Sequence, residues 1–187
     1  AMLPLIEDQD MTVAALESFK TDYPMLADQA FAAKLGLAGS QSGDHELIES
    51  LLTLLAAEKT DFTIFWRRLS HATALLATQV PAHAFEKVRD LFMHHEGWDN
   101  WLPGYVNRLQ AQDLLKASAD MLQTNPKYVL RNHLGEQAIQ QAKIGDFCGV
   151  ADLLRVLQTP FDEHPDFHHL AGFPPDWASS ISISCSS

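Results

Sequence analysis

The stretch "LESFKTDYPMLADQAFAAKLG", residues 16–36, decides the fold class. Its apolar residues Leu16, Phe19, Tyr23, Leu26, Ala30 and Ala33 follow one another at spacings of 3, 4, 3, 4 and 3. That rhythm fits a helical turn, so all six share one helix face, whereas a strand would alternate. Pro24 interrupts the pattern, and either kinks the helix or opens a second one at its first turn. Gly36 ends it, and "GLAGSQSG" (36–43) reads as a turn-rich loop.

The same period continues down the chain. Asp44 is the expected N-cap of a helix that buries Leu47, Ile48, Leu51, Leu52 and Leu55. Thr60 or Asp61 caps the next, which carries Phe62, Phe65, Trp66, Leu69 and Leu76. Pro81 opens a short helix carrying Phe85, Val88 and Phe92. Further helices are expected near 98–110, 113–122 and 133–145, broken by Asn125-Pro126 and closed by Gly145. Asp146 should cap a last one with Phe147, Val150, Leu154 and Leu157 facing inward. After Pro160 the regularity fails, and "PFDEHPDFHHLAGFPPDW" (160–177) reads as an ordered, irregular arm. The expectation is an all-α, irregular multi-helix bundle over 1–159, followed by a Pro/His-rich arm and a cysteine-containing tail over 160–187. "SISIS" (180–184) alternates like a strand, but a lone strand has nothing to pair with.

Composition narrows the function. The 187 residues are 47% hydrophobic, enough for a real core. Acidic residues number 24 against 13 basic, a net charge of −11. No basic run exceeds Arg67-Arg68, which argues against nucleic acid and anionic membrane surfaces. The start, "AMLPLIEDQD", has neither a basic nor an apolar leader segment, so no signal peptide is expected, and Ala1 ahead of Met2 suggests an engineered fragment. Two cysteines, Cys148 and Cys185, do not make a disulfide scaffold and suggest a cytoplasmic protein.

No phosphate-binding glycine loop, nucleophile elbow or His-Glu-x-x-His motif is present. In "DEHPDFHH" (162–169), His164, His168 and His169, with Asp162, Glu163 and Asp166, are candidate metal ligands. The competing reading is a solvated acidic loop, which the lack of a closed ligand spacing favours. His94-His95 are adjacent and would point apart on a helix. In "NPKYVLRNHLGEQAI" (125–139), Asn132 can cap a helix, and Arg131 can fork onto a phosphate or an internal carboxylate. The internal ion pair is favoured. Of Arg67 and Arg68, one should pair internally and the other face water. Cys148 is expected to be a buried, inert thiol. Cys185 lies between serines, either on a tail that docks as a whole or on a loose end.

Six segments together resemble one family. "AKLGL" (33–37), "DFTIFWRRLS" (61–70), "NPKYVLRNHL" (125–134), "GDF" (145–147), "LLRVLQTPFDEHP" (153–165) and "PPDWASSISISCSS" (174–187) are similar to the C-terminal part of selenoprotein O, the SelO/YdiU family. The resemblance implies a protein-kinase-like fold, of which this chain would be the last portion of the helical lobe plus an extension. It implies a pseudokinase that transfers AMP from ATP to protein Ser, Thr or Tyr hydroxyls with Mg²⁺ or Mn²⁺. The family's ATP- and metal-binding motifs lie upstream and have no counterpart here, so no catalytic residue and no cofactor are expected in this fragment. Its partners would be the missing N-terminal kinase-like region and the parent's protein substrates. Cys185 matches the position third from the end that is selenocysteine in some animal members. In bacterial members this position pairs with a cysteine near the activation loop, which implies a redox-sensitive tail whose partner thiol is outside this chain. A Cys148–Cys185 bridge is the lesser alternative. The rival class is a non-catalytic helical interaction module with an acidic surface.

Overall fold

The computed structural model describes residues 8–181. Among them the chain forms nine α-helices and two 3-10 segments, with no strand. None of these helices is long and apolar enough to cross a membrane.

The first helix, α1 (Gln9–Lys34), is a single helix with Pro24 inside it. Proline removes one amide donor, and the carbonyl one turn earlier loses its partner. Both Lys20 and Pro24 are exposed, so that carbonyl stays open to water and the helix continues. Asp8 caps its start by accepting from the Asp10 and Met11 amides at 2.9 and 3.1 Å. Gly36 follows its end at a φ of 67°. A Cβ at Gly36 would also lie 2.7 Å from Met121 Sδ, so glycine is required there on two counts.

Helix α2 (Asp44–Ala57) is not capped by Asp44. Gly43 holds the cap position, and the Asp44 carboxylate accepts from the Gln41 amide and from Arg108 Nε at 2.9 and 2.7 Å. An arginine fork is the stronger partner for a nearly buried carboxylate. Asp61 does cap α3 (Phe62–Leu75), accepting from the Ile64 amide at 2.9 Å. Two single-turn helices, α4 (Pro81–Ala84) and α5 (Glu86–Arg89), lead into α6 (His95–Leu109) and α7 (Leu114–Thr124), which Asp113 caps.

These elements enclose one aromatic core. Phe65 and Trp66 of α3, Phe85 and Phe92, and Trp98 and Tyr105 of α6 are all buried. Phe65 meets Trp66, Phe92 and Trp98 edge to face, with centroids 5.3–6.1 Å apart. Each large side chain removed from water contributes roughly 1.5–3 kcal/mol. The buried Tyr105 hydroxyl donates to the Leu35 carbonyl at 2.9 Å, which ties the end of α1 to α6. Burial pushes its ionisation far above the ordinary range.

The last two helices, α8 (Asn132–Lys143) and α9 (Cys148–Gln158), form a hairpin with its own small cluster of Leu134, Ala138 and Leu153. Leu157 and Leu170 pack on its edge. The expected inner face of α9 is corrected here: Leu153 and Val156 are buried, while Phe147, Val150 and Leu154 are exposed. The periodicity identified an apolar side, but a two-helix hairpin covers only a narrow strip of it. Cys148, expected to be buried, is exposed at the start of α9 for the same reason. Phe147, not the expected Asp146, holds the cap position of α9, while the Asp146 carboxylate accepts from the Cys148 amide at 2.9 Å just before it.

Candidate functional site

The segment between α7 and α8 meets the arm that follows α9, and the polar groups of the chain converge there. Asn125 ends α7 with an extended backbone, and Pro126 prevents further helix. The Lys127 and Tyr128 amides therefore point out of any helix, and both donate to the Pro160 carbonyl at 2.8 and 3.1 Å. The Tyr128 hydroxyl donates to the Glu163 carbonyl at 2.8 Å.

Arg67 reaches this junction from the middle of α3. Its Nη1 donates to the Leu122 and Asn125 carbonyls at 2.9 and 3.0 Å. Its Nη2 donates to the Phe161 carbonyl at 2.9 Å and to Glu163 Oε1 at 2.6 Å. The guanidinium thus joins the end of α7 to the arm, although its Nε is buried without a partner. Lys127 Nζ approaches from the other side, 2.8 Å from Glu163 Oε2 and 2.9 Å from His168 Nδ1. A lysine donating to Nδ1 places the imidazole proton on Nε2.

Glu163 is therefore a single carboxylate between two nearly buried cations. Burial works against its ionisation, but Lys127 and Arg67 outweigh burial and lower the carboxyl to about 2. Beside it, burial and the Arg67 charge lower His71. Asn125 extends the network inward. Its Nδ2 donates to the Lys34 carbonyl and to Ser70 Oγ at 2.9 and 3.1 Å, and its Oδ1 accepts from Lys34 Nζ at 3.1 Å.

The residues singled out in the sequence separate into different places. Both Nη atoms of Arg131 are taken by Asp61, at 2.6 and 3.0 Å, so one carboxylate caps α3 and holds the start of α8. Burial opposes ionisation of Asp61, and the Arg131 fork more than compensates, so its carboxyl falls below the usual range. Asn132 is the first residue of α8 and makes no capping bond. Arg67 is the inward arginine of its pair, while Arg68 donates to the Lys87 carbonyl at the surface.

The three arm histidines diverge. His164 Nε2 lies 2.7 Å from Thr159 Oγ1, His168 binds Lys127, and His169 lines a groove of about 720 Å³ between α8, α9 and the arm. Among the described residues no three His, Cys, Asp or Glu side chains come together as a metal site. Cys148 lines the same groove as His169, and Asp146 beside it pushes the thiol up, away from thiolate reactivity. Cys185 lies outside the described residues.

The sequence signal for this junction was present but spread out. Lys127 and Tyr128 stand in the Asn-Pro segment, and Glu163 stands among the supposed ligands of the arm. Their convergence on Arg67 spans up to 96 residues and has no local signature. Chemically the junction is a lock: every charged group in it is paired, which suits holding a segment in place.

Comparison with known proteins gives the family. Residues 1–158 match the family described as protein adenylyltransferase SelO. A protein nucleotidyltransferase YdiU from Variovorax paradoxus is 54% identical over 187 residues, covering 100% of this chain and 36% of the relative. The YdiU protein of Albidiferax ferrireducens is 50% identical, covering 100% of this chain and 37% of its own length. That of Cupriavidus metallidurans is 43% identical, covering 92% and 31%. The chain thus spans about a third of the length of the curated relatives it matches. With 158 of its residues matched to that family, the chain belongs to the SelO protein adenylyltransferases.

Proposed function

We propose that this chain is the C-terminal helical region of a protein that transfers AMP from ATP to Ser, Thr or Tyr hydroxyls of other proteins. The observation that supports this reading is the family match over 1–158, joined to relatives named nucleotidyltransferases of which the chain spans about a third. In that reaction the hydroxyl oxygen attacks the α-phosphorus of ATP. The bond from that phosphorus to the β-bridging oxygen breaks, pyrophosphate leaves, and the hydroxyl proton passes to a base. A divalent ion, Mg²⁺ or Mn²⁺, would neutralise phosphate charge when bound.

The described residues do not fit that ion, because no three acidic, imidazole or thiol side chains come together among them. Arg67, Lys127 and Arg131 are each committed to a carboxylate within the fold rather than free to hold a triphosphate. The role of this region is therefore support. Residues 1–159 would belong to the last part of a kinase-like helical lobe in a cytoplasmic protein, and 160–187 to its arm and cysteine-containing tail. The Arg67–Glu163–Lys127 lock sets where the arm runs, and so where the tail starts. Cys185 would act as a redox-sensitive latch: its thiol and a second thiol in the rest of the protein join, giving two electrons and two protons to a small-molecule disulfide.

The test is AMP transfer by the longer protein, with labelled ATP, comparing Cys185 with Cys185→Ser under oxidising and reducing conditions. Transfer by the reduced wild type alone, with the variant indifferent to redox state, is the expected result. Equal transfer by both proteins in both states removes the latch. Absence of transfer in every sample removes the AMP-transfer reading.

A further inference from the structure

We infer that residues 13–26 of α1 are a docking seam for the part of the parent protein that lies outside this chain. The inference rests on reading the chain as one region of a longer nucleotidyltransferase. The seam itself is visible in the helix. Residues 13–26 are exposed without interruption, and partial burial begins only at Ala27. From Phe31 onward the helix packs into the aromatic core. The remainder projects with Leu16, Phe19, Tyr23 and Leu26 at 44, 59, 56 and 55% exposure.

Those four residues form one stripe, continued by Ala30 and Ala33 toward the core. Spacings of three and four residues are what a second helix meets in knobs-into-holes packing. The Phe19 and Tyr23 rings lie 5.1 Å apart, so the stripe presents a joined aromatic surface. The polar residues between its members satisfy one another: Lys20 pairs with Glu17 at 2.7 Å, and Ser18 donates to Asp22 at 3.2 Å. The helix is thus finished toward water on one side and unfinished on the other. A bare helix of this length is marginal in water, so covering the stripe is worth most to this part of the fold.

Charge and length choose the occupant. Asp10, Glu17 and Asp22 against Lys20 make this part of α1 acidic, and the whole chain carries −11. A second copy would bring like charge to like along the seam. The rest of the parent does not carry that restriction, and the Variovorax relative holds about two thirds of its length beyond the matched part. A covalently linked region also meets the seam at high effective concentration. The fitting surface is an apolar helix face whose flanks are not acidic, since Asp10, Glu17 and Asp22 outnumber Lys20 beside the stripe.

Hydrogen exchange of the 13–26 amides, in this chain and in the longer protein, tests the inference. Exchange at least about 100-fold slower in the longer protein is expected. Phe19→Glu combined with Tyr23→Glu should abolish that slowing while leaving the α3 amides unchanged in both proteins. Phe19→Ala should reduce it, so the result does not rest on one disruptive variant. Equal exchange in the two proteins overturns the inference. Slowing that grows with the concentration of the 187-residue chain alone also overturns it, and assigns the seam to self-association. AMP transfer measured on the same samples separates the two readings. Protection without transfer keeps the docking seam and removes the proposed activity, whereas transfer without protection does the reverse.

Discussion

The aromatic bundle of α2–α7 and the α8–α9 hairpin with its arm are both helical, yet they are held by different forces. The bundle closes around Phe65, Trp66, Phe85, Trp98 and Tyr105, all buried at 2% exposure or less. The hairpin closes around the small cluster of Leu134, Ala138 and Leu153 with Leu157 and Leu170 at its edge, and leaves Ile144, Phe147 and Leu154 in water. What fastens it to the bundle is polar: Asp61 with Arg131, and Glu163 with Arg67 and Lys127. Hydrophobic burial has no direction and resists pH and salt, whereas charge-assisted bonds fix a geometry and respond to both. The bundle is therefore the stable body, and the hairpin and arm are positioned upon it.

That contrast breaks first, and most severely, in the bundle. Trp98→Ala should cost about 3–5 kcal/mol of global stability, because its indole stacks on Phe92 at 5.2 Å and fills the centre of the core. Urea denaturation followed by circular dichroism would record it. A loss below about 1 kcal/mol would mean the bundle is not the stable body.

Arg67→Met tests the polar fastening. It keeps the aliphatic volume and removes the donors to three carbonyls and to Glu163. The expected cost is about 2–3 kcal/mol, felt chiefly by the arm. Limited proteolysis should then cut within 159–175 while the bundle survives. If the arm is no more readily cut than in the wild type, Arg67 does not hold it.

The smallest effect sharpens the contrast by pH. The Glu163 carboxyl drops from an ordinary 4.5 to about 2 in the folded chain, so the unfolded chain binds the proton more readily. Its contribution is complete above pH 4.5 and fades as pH falls toward 2. Because the Glu163 side chain is half exposed, solvent screening limits this to about 1 kcal/mol. Glu163→Gln should remove that contribution of about 1 kcal/mol at pH 7–8, where it is complete, and flatten the acid part of the profile so that the two proteins converge toward pH 2. An identical acid slope in the variant would assign the slope to Asp61 and the other carboxylates.

Much of the bundle was legible because its rules are local. Asp61 as a cap, Gly36 as a stop and the inner face of Ile48, Leu51 and Leu55 all follow from spacing and backbone chemistry within a few residues. Asp44 escaped because its better partner, Arg108, lies 64 residues away. The junction was only half legible: the paired arginines and the Asn-Pro segment attracted notice, while Glu163 stood among supposed metal ligands.

The sequence by itself determined that the chain is helical, the order of its main helices and the inner side of α2, since these depend on a period and on turn residues carried by near neighbours. Only the tertiary structure decided which apolar sides are covered. Leu153 is inside and Leu154 outside, and Phe31 is packed while Phe19 is bare, although each pair lies within an apolar pattern. It also decided that Arg67, Lys127 and Glu163 meet. Amphipathic periodicity specifies a face but not its partner, and charged groups distant along the chain find one another only after packing has brought their helices together.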